Sequence, residues 1–432
     1  MIEREPEPQK AFVIHPLSGR PHHNSELQLA EAVGLAEALD VAVIGTDIVT
    51  IRAIKVGNYL GSGKIHEIGE HLAENGGNLV IVNTSLTPIQ QRNLEKLWNV
   101  KVLDRTGMIL EIFALRAATK EGRLQVELAR LAYERSRLVR TWTHLERQRG
   151  GQGFLAGPGE TQIESDRRIL AQKISKLCKD LDQVRKTRAL QRIKRQRAPE
   201  RVIALVGYTN AGKSTLFNLI TEGGVLAKDM LFATLDTTHR ILRLPAGQKC
   251  VLSDTVGFIS DLPTDLIDAF RATLEEVREA DLLIHVRDIS DPLSEDRKQD
   301  VLDVLETLQA GPNHEQDMIE VWNKIDQLDV TERQALLDSS GSTSDVATTF
   351  PLSCKTREGL QVLLAGIEEK LADQDVLVEA CISPQDGRVR SWLHEHGRVI
   401  SEDLQTDGHY VLKAMLPKAE AGMFYARYPQ TP

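Results

Sequence analysis

The sequence predicts a multidomain α/β protein built from four consecutive parts. The chain has 432 residues, which is enough for about three domains. Short apolar runs alternate with helical patterns in its first and third quarters, as is typical of α/β domains, and two long helical patterns lie between them. We expect an N-terminal α/β subdomain over 1–118, a long antiparallel coiled-coil hairpin over 119–198, a domain with a phosphate-binding loop (P-loop) over 199–372 and a small C-terminal α/β domain over 373–432.

The composition is that of a soluble globular protein, with 41% hydrophobic and 27% charged residues. No apolar run approaches the ~18 residues of a membrane-spanning helix, and the first residues lack the basic start and apolar centre of a signal peptide. We expect a cytoplasmic monomer without an integral membrane segment, with peripheral membrane association as an alternative. Since the four cysteines lack metal-ligand spacing, we expect reduced thiols and no structural metal.

Four strand-like apolar runs in the first subdomain predict a small, mostly parallel sheet. The runs are Ala11–Ile14, Val41–Ile44, Asn78–Val82 and Val100–Leu103. The nearby Gly61-Ser62-Gly63-Lys64 looks like a P-loop, but it lacks the earlier glycine and has Ile65 in place of the metal-binding hydroxyl. We expect an ordinary turn and helix start there.

Two long helical patterns predict a hairpin whose helices pack together, because their apolar residues alternate at spacings of four and three. The first pattern contains Leu124, Leu128, Leu131, Leu138, Trp142 and Leu145, and the second contains Leu170, Ile174, Leu177, Leu181 and Val184. The glycine-rich segment Gly150–Gly159 between them predicts a non-helical tip.

The hairpin is basic although the chain has a net charge of −9. Residues 121–197 contain 19 Lys and Arg against 9 Asp and Glu. These charges could simply solvate a coiled coil, but the end of the second helix carries one sign only, and a glycine-rich tip suits close contact with phosphate. We therefore favour binding to RNA, since no DNA-binding motif is visible. Phe154 either stacks on a base or closes the tip. The one-signed residues are Arg185, Lys186, Arg188, Arg192, Lys194, Arg195 and Arg197.

A complete P-loop pattern begins the third domain, because the apolar strand Val202–Val206 leads into Gly-x-x-x-x-Gly-Lys-Ser and then a helix. In this pattern the backbone surrounds the phosphates, Lys213 reaches the β- and γ-phosphate oxygens, and the Ser214 hydroxyl binds Mg²⁺. The expected nucleotide-binding residues of the loop are Gly207, Tyr208, Thr209, Asn210, Ala211, Gly212, Lys213, Ser214 and Thr215.

A second motif selects guanine. Asn323-Lys324-Ile325-Asp326 follows an apolar strand, and the carboxylate of Asp326 can accept two hydrogen bonds from guanine that adenine cannot donate. The segment Ser353-Cys354-Lys355 follows another apolar run and should present a backbone N–H to guanine O6. Cys354 is then a loop residue beside the base and not a nucleophile. These motifs predict a P-loop GTPase domain with GTP as substrate.

Two segments between these motifs should sense the γ-phosphate. In Asp254-Thr255-Val256-Gly257 the acid would hold the Mg²⁺ shell through water, and the Gly257 N–H would meet the γ-phosphate. The switch Phe232-Ala233-Thr234-Leu235-Asp236 should supply a threonine hydroxyl to the metal. From the residues alone, Thr234, Thr237 and Thr238 remain alternatives for that ligand.

The order of these motifs, with Gly157-Pro158-Gly159-Glu160-Thr161-Gln162 ahead of a basic helix, resembles the HflX family of translation-factor-class GTPases. The resemblance covers about residues 10–370. It implies that Thr234 is the switch residue that binds Mg²⁺, and that Lys213, Thr234 and Gly257 are the catalytic residues. It also implies binding to the 50S ribosomal subunit and its rRNA, approach of the hairpin tip to the peptidyl-transferase centre, splitting of stalled ribosomes under stress, and stimulation of hydrolysis by ribosomal particles.

This chain departs from the family pattern in the switch, where Thr237 and His239 occupy the second and fourth positions of a segment that reads Asp-Pro-Thr-Thr-Arg in many relatives. Phe258 also follows Gly257 at the place where many GTPases carry a water-orienting glutamine, so we expect slow intrinsic hydrolysis. Arg240 and Arg271 are candidates for a cis-acting arginine, although surface ion pairs are the simpler interpretation.

Two other functions stay open from the sequence: a GTPase that regulates a protein partner, such as a membrane protease complex, through the hairpin, and a passive RNA-binding protein that holds its nucleotide structurally. In the C-terminal domain, strands over 376–381 and 409–414 should flank a helix over 385–397. His394 and His396 lack partners for metal binding.

Overall fold

The computed structural model describes residues 9–17, 23–148, 158–195, 201–221, 231–232, 234–235, 237–260, 274, 276–340, 349–372, 375–383, 386–405 and 408–428. Several expectations fall outside these residues: the hairpin tip at 150–157 with Phe154, the switch positions Ala233 and Asp236, and Arg197 and Arg271.

The N-terminal domain is a parallel sheet of order β2-β1-β3-β4 with helices in its crossovers. This arrangement confirms the predicted parallel sheet. The segment after Gly61 is a helix start, in which Lys64 forms ion pairs with Asp47 and Glu67 at 2.7 and 2.8 Å. The elements are β1 (Lys10–Leu17), α1 (His23–Glu37), β2 (Ala42–Thr50), α2 (Ser62–Asn75), β3 (Leu79–Val82), α3 (Pro88–Trp98), β4 (Lys101–Asp104) and α4 (Arg105–Arg116).

The hairpin consists of α5 (Lys120–Gln148) and α6 (Pro158–Arg195), which pack against each other. In α6 the predicted apolar seam is the least exposed face, and Leu177 and Leu181 are buried. The expectation that Pro158 and Gly159 belong to the tip is wrong, because α6 begins at Pro158. Proline is favoured in the first turn of a helix, where its missing N–H has no partner to lose.

The first half of α5 differs from a simple two-helix seam. Leu124 and Leu128 are only partly buried, whereas Val126 and Ala129 are buried. The reason is that this half packs on α3 and α4 of the N-terminal domain as well as on α6.

Asp104 anchors α5 to the N-terminal sheet. This carboxylate is 2% exposed at the end of β4 and caps α4 by accepting the Gly107 N–H at 2.8 Å. It also accepts a hydrogen bond from the Tyr133 hydroxyl at 2.7 Å and pairs with Arg137 at 3.1 Å. Because one buried carboxylate satisfies groups from two helices, its position fixes how the hairpin leaves the domain.

The P-loop domain is a six-stranded sheet of order β10-β9-β8-β5-β7-β6, in which only β6 is antiparallel. The P-loop lies at the carboxyl ends of the parallel strands, the usual place for ligands in such sheets. The elements are β5 (Arg201–Val206), α7 (Lys213–Ile220), β6 (Thr238–Arg243), β7 (Lys249–Asp254), β8 (Leu282–Asp288), α8 (Ser294–Thr307), β9 (Asp317–Asn323), α9 (Val330–Ser340), β10 (Thr349–Pro351) and α10 (Leu360–Ala372).

The C-terminal domain is a three-stranded antiparallel sheet of order β11-β13-β12 with two helices. Its elements are β11 (Asp375–Ile382), α11 (Gly387–His396), β12 (Arg398–Leu404), β13 (Tyr410–Pro417) and α12 (Lys418–Arg427). The sequence predicts β11, α11 and β13 but misses β12 and α12. The described part of β12 exposes Ile400 and Leu404, so its pattern lacks the buried alternation that marks a strand.

The N-terminal and P-loop domains share one buried apolar cluster, to which Phe113, Phe232 and Ile259 belong. Among the described helices, none combines the length and the apolarity that crossing a membrane requires.

Replacing Asp104 with alanine should lower the free energy of unfolding by about 3–5 kcal/mol, because Arg137 and the Tyr133 hydroxyl lose their partner and α4 loses its cap. Equilibrium urea unfolding measures the change. Asp47→Ala is the matched control, since it removes only a partly exposed ion pair with Lys64 and should cost at most about 1 kcal/mol. Equal losses in the two variants would contradict the anchoring role of Asp104.

Candidate functional site

Two glycines of the P-loop lie where no side chain fits. Gly207 has φ +149, and a Cβ on it would stand 2.2 Å from the Val286 carbonyl oxygen of β8. Gly212 has φ +98, and its Cβ would stand 2.2 Å from Asn323 Nδ2. Both dihedral angles also disfavour any residue with a side chain. The two motif glycines therefore let the loop lie directly against the neighbouring strands.

Lys213 is the first residue of α7, and its side chain is buried. Its ammonium group donates hydrogen bonds to the Gly207 and Tyr208 carbonyl oxygens at 2.9 and 2.8 Å. Burial lowers the pKa of Lys213 to about 8, although the nearby Asp254 carboxylate opposes this shift. A buried cation with only partial charge compensation attracts an anion, so the loop is suited to a phosphate.

Three oxygen-bearing side chains from different segments meet beside the loop. Ser214 Oγ lies 2.8 Å from Thr234 Oγ1 and 2.7 Å from Asp254 Oδ2, and Thr234 Oγ1 lies 3.0 Å from the same carboxylate oxygen. The Thr237 hydroxyl is buried without a hydrogen-bond partner among the described residues, and Thr238 begins β6. Of the three candidate threonines, the structure brings Thr234 to this cluster.

The cluster fits Mg²⁺, which prefers oxygen ligands. Burial raises the pKa of Asp254, while hydrogen bonds from Ser214 and Thr234 and the charge of Lys213 oppose that shift. The second carboxylate oxygen, Oδ1, is buried and has no hydrogen-bond partner in the described part of the chain. Since an unpaired buried carboxylate oxygen is costly, a cation or its bound water would satisfy it.

Asn323 links the P-loop to the loop after β10. Its side-chain amide donates to the Ala211 carbonyl oxygen at 2.8 Å and accepts the Cys354 backbone N–H at 3.2 Å. The next motif residue, Lys324, forms a 2.7 Å ion pair with Asp288. The structure therefore joins the three segments that the sequence assigns to one nucleotide.

Asp326 and Ser353 also meet, since the Ser353 hydroxyl donates to Asp326 Oδ1 at 2.7 Å. Ile325 between the motif residues is buried, and its N–H donates to the Leu352 carbonyl oxygen at 3.3 Å. One oxygen of the Asp326 carboxylate thus accepts a hydrogen bond from the protein itself. Lys355 and Thr215, the outermost of the expected binding residues, are exposed.

Cys354 has an unreactive thiol. Burial and the nearby negative charge of Asp326 raise its pKa to about 12, against the weaker effects of Asn323 and Lys324. At neutral pH such a thiol is almost entirely protonated. This environment supports the interpretation of Cys354 as a loop residue and not a nucleophile.

The segment after Asp254 lies against the P-loop. The Thr255 hydroxyl is buried and donates to the Leu205 carbonyl oxygen at 2.6 Å, and Val256 is buried beside it. Phe258 forms an isolated parallel bridge with Tyr208, and its side chain is buried in the core shared with the N-terminal domain. A buried phenyl ring cannot orient a water molecule at a phosphate.

The remaining switch residues and the candidate arginine are placed as follows. Phe232 has φ +54 and Leu235 is buried. The guanidinium of Arg240 lies over the Phe217 ring at 5.4 Å and donates to the Thr221 hydroxyl at 3.4 Å, both on the α7 side. Among the described residues Arg240 therefore has no ion-pair partner, and its contacts lie on the α7 side.

Two features of the site were not predicted from the sequence, namely Asp288 and the side-chain contact of Tyr208. Asp288 ends the apolar strand β8 at the same sheet edge as the P-loop, and that position was the available signal. The Tyr208 hydroxyl contacts Glu31, which is 177 positions away in the sequence. No local pattern indicates such a contact.

Three family models match the chain in succession. They are described as "GTP-binding GTPase N-terminal" over residues 26–114, "GTP-binding GTPase Middle Region" over residues 116–195 and "50S ribosome-binding GTPase" over residues 202–324.

The chain is also similar to complete proteins. The GTPase HflX of Magnetococcus marinus is 46% identical over 401 residues, which cover 93% of this chain and 91% of that protein. The GTPase HflX of Escherichia coli is 40% identical over 417 residues, which cover 96% of each. A crystal structure of a GTP-binding protein from Sulfolobus solfataricus in complex with GDP is 25% identical, covers 84% of this chain and 98% of that chain, and has a TM-score of 0.45.

Cys354 should be alkylated by iodoacetamide at pH 8 at least about a hundredfold more slowly than an exposed thiol, because few of its molecules carry the reactive thiolate. Mass spectrometry of peptides after timed alkylation measures the rates. The exposed thiols Cys178 and Cys381 are internal controls. Alkylation of Cys354 as fast as Cys381 would contradict the buried, protonated thiol.

Proposed function

Because this chain belongs to the GTPase HflX family, we propose that it binds the large ribosomal subunit through its ribosomal RNA. There it uses GTP binding and hydrolysis to dissociate or rescue stalled ribosomes under stress. The chain is a GTPase, which converts GTP to GDP and phosphate. The observation that carries the ribosomal part is a basic two-helix hairpin joined to a domain that matches the model of a 50S ribosome-binding GTPase.

The phosphates of GTP bind along the P-loop in this proposal. Lys213 leaves its two carbonyl partners and neutralises the β- and γ-phosphate oxygens, and the Gly257 N–H meets the γ-phosphate. The Ser214 and Thr234 hydroxyls would hold Mg²⁺, and Asp254 would support them. Mg²⁺, when bound, neutralises charge that develops on the phosphates. Two observations support these roles: three oxygen-bearing side chains meet beside the P-loop, and Asp254 Oδ1 has no hydrogen-bond partner among the described residues.

Intrinsic hydrolysis is slow in this proposal. Phe258 is buried in the interdomain core, and Arg240 points to α7, so neither residue supplies the water-orienting group or the cis arginine that other GTPases use. Positioning and electrostatics then provide the basal rate. Ribosomal particles raise it by completing or reordering the switches.

Asp326 reads the base in this proposal. Its carboxylate accepts hydrogen bonds from guanine N1–H and the 2-amino group, while the Ser353 hydroxyl holds one of its oxygens in place. A backbone N–H of the Ser353–Lys355 segment meets guanine O6 in this proposal, and the Cys354 N–H, which donates to Asn323 Oδ1 at 3.2 Å, would exchange that partner to do so. Because an unpaired buried carboxylate is costly, adenine is rejected.

Replacing Asp326 with asparagine should weaken GTP binding by about a hundredfold and favour xanthosine triphosphate, because the amide can donate to the 2-oxo group and no longer accepts from the 2-amino group. Titration with fluorescent analogues of both nucleotides measures the change. Asp329→Asn, which alters an exposed neighbour in the same loop, should keep the guanine preference. Unaltered GTP affinity in the Asp326 variant would contradict the proposed base recognition.

The hairpin is the proposed ribosome-binding element. At 1.5 Å per residue, the 38 residues of α6 extend for about 57 Å, and its described exposed residues include Lys173, Lys176 and Lys179. A long basic projection suits a groove lined by RNA phosphates, and its binding should weaken steeply as salt is raised.

Deletion of residues 150–157, the segment that ends just before α6, should leave basal GTP hydrolysis unchanged. It should abolish the stimulation of hydrolysis by 50S subunits. The physical reason is that the nucleotide site lies in another domain, whereas the tip reaches the RNA. Phosphate release with and without purified 50S subunits measures both rates. Full stimulation of the deletion variant would place the ribosome-binding surface elsewhere.

Co-sedimentation with 50S subunits distinguishes the RNA-binding proposal from binding to a protein partner. With six or more phosphate contacts, affinity should fall by about a thousandfold or more between 50 and 200 mM salt. Affinity that is flat over this range would favour a protein partner for the hairpin. Phosphate release that stays at background with 50S subunits present would favour a passive RNA-binding protein.

A further inference from the structure

Residues of the N-terminal domain and of the P-loop domain both form hydrogen bonds with Ser260. Arg105 of the N-terminal domain donates to the Ser260 carbonyl oxygen at 2.9 Å. The Ser260 N–H donates to the Tyr208 hydroxyl oxygen at 3.0 Å, and the Ser260 hydroxyl lies 2.6 Å from the same atom. The Ser260 hydroxyl also donates to Asp300 on α8 at 2.8 Å. Hydrogen bonds to its N–H, its carbonyl oxygen and its hydroxyl therefore fix the position of Ser260.

Arg105 is itself held tightly. Its side chain is about 6% exposed, and it donates to Glu31 at 2.8 Å and to Asn83 Oδ1 at 2.6 Å. Asn83 follows β3 and in turn lies 3.0 Å from His15 on β1. His15 and Asn83 lie towards the carboxyl ends of β1 and β3, the two central strands of the N-terminal sheet, and Arg105 follows the end of the neighbouring β4. Ligands of α/β domains commonly bind at this edge. In this chain that edge holds a segment of the P-loop domain.

Tyr208 joins the P-loop to the same junction. Its hydroxyl donates to Glu31 of α1 at 2.7 Å, and the guanidinium of Arg297 lies over its ring at 4.7 Å. The carbonyl oxygen of Tyr208 meanwhile accepts a hydrogen bond from Lys213. One residue of the P-loop therefore contacts the phosphate-binding lysine through its backbone and the N-terminal domain through its side chain.

Ser260 lies three residues after Gly257, and the segment between them is packed on the P-loop. The intervening Phe258 and Ile259 are buried, and Phe258 exchanges backbone hydrogen bonds with the P-loop: its N–H donates to the Gly207 oxygen at 3.1 Å, and its oxygen accepts from the Thr209 N–H at 2.8 Å. Gly257 is pressed against the loop, because a Cβ on it would lie 3.0 Å from Thr209 Cα and 3.1 Å from Lys213 Nζ. A third phosphoryl group needs space between Gly257 and these atoms.

The switch segment that contains Thr234 also contacts the N-terminal domain. Phe113 of α4 packs edge-on against Phe232, two residues before Thr234, with ring centroids 4.8 Å apart. Gly34 of α1 lies against Leu231, since a Cβ on it would be 3.2 Å from the leucine Cδ1. Both segments that approach the γ-phosphate therefore contact α1 or α4.

We infer that Arg105 and Tyr208 are specificity-determining residues for the third phosphate. By holding Ser260, they keep Gly257 against Thr209 and Lys213, so the protein favours GDP over GTP until the junction is released. This inference rests on the proposed nucleotide site and adds the residues outside it that set the preference between diphosphate and triphosphate. Arg105 does not touch the nucleotide and acts through Ser260, so it is a positioning residue.

Tyr208→Phe and Ser260→Ala test the inference with small changes. Each removes a hydroxyl that joins the two residues, and the phenyl ring of the first variant keeps its packing under Arg297. The dissociation constants of GDP and of a non-hydrolysable GTP analogue are measured for each protein. Both variants should bind the analogue about tenfold more tightly relative to GDP than the unaltered chain does, within the range of known couplings. In Ser260→Ala, whose residue lies outside the nucleotide-binding motifs, GDP affinity itself should change less than about twofold.

Tyr410→Phe is the matched control, because it also removes one hydroxyl from a partly buried tyrosine whose ring lies under an arginine, Arg390, but it belongs to the C-terminal domain. It should leave the ratio unaltered. An unaltered ratio in both test variants, or a ratio that shifts towards GDP, would overturn the inference while leaving the nucleotide site intact. Failure of the unaltered protein to bind GDP would instead overturn the site and the inference together.

Amide hydrogen exchange on the unaltered protein provides a test that needs no variant. Because coupling between two sites is reciprocal, the GTP analogue should loosen the junction, and amides of α1 and of the first turn of α4 should exchange faster with the analogue than with GDP. Equal exchange in the two states would contradict the inference.

Discussion

The nucleotide site depends on the lack of space around two P-loop glycines. Gly207 lies against a carbonyl oxygen of β8, and Gly212 lies against the side chain of Asn323 on β9. This close contact lets Asn323 bridge the P-loop and the Cys354 loop with its single amide group. The parts proposed to bind phosphate and base are therefore directly connected, as preorganised recognition requires.

The charges of the nucleotide site favour an anion. Burial lowers the pKa of Lys213 and raises the pKa of Asp254, so each group is held in an environment that opposes its charged form. Their mutual attraction offsets only part of this cost. A phosphate that brings its own charge and a cation can satisfy both groups at once. Burying these two charged groups lowers the stability of the folded protein, and binding of the substrate offsets that cost.

Local chemistry was predictable from the sequence, and contacts between distant segments were not. The P-loop, the Asn-Lys-x-Asp motif and the parallel sheets follow from short patterns of residue type and spacing. The residues alone left Thr234, Thr237 and Thr238 as alternatives beside Ser214 and Asp254, and only the family resemblance favoured Thr234, because a threonine's position depends on the tertiary path of the switch. The roles of Arg105, Glu31 and Ser260 could not be predicted, since their meeting is created by the packing of two domains.

The C-terminal domain shows the same limit in another form. Strand β12 has a register shift between Val399 and Ser401, which breaks the alternation that marks a strand in sequence. Helix α11 illustrates the opposite case, because it was predicted and its Val389, Trp392 and Leu393 recur at helical spacing and are all buried. Pattern-based prediction succeeded where a regular element packs one face on a core, and it failed at the irregular edge strand β12.

Consecutive residues connect the hairpin to the switch. Asp104 holds α5 through Tyr133 and Arg137, and the next residue, Arg105, holds Ser260. Packed junctions of this kind move between discrete arrangements and do not deform smoothly. A shift of Ser260 therefore acts on the peptide that also carries Asp104. Since α6 extends for about 57 Å, a small rotation at the base of the hairpin becomes a much larger displacement at its far end.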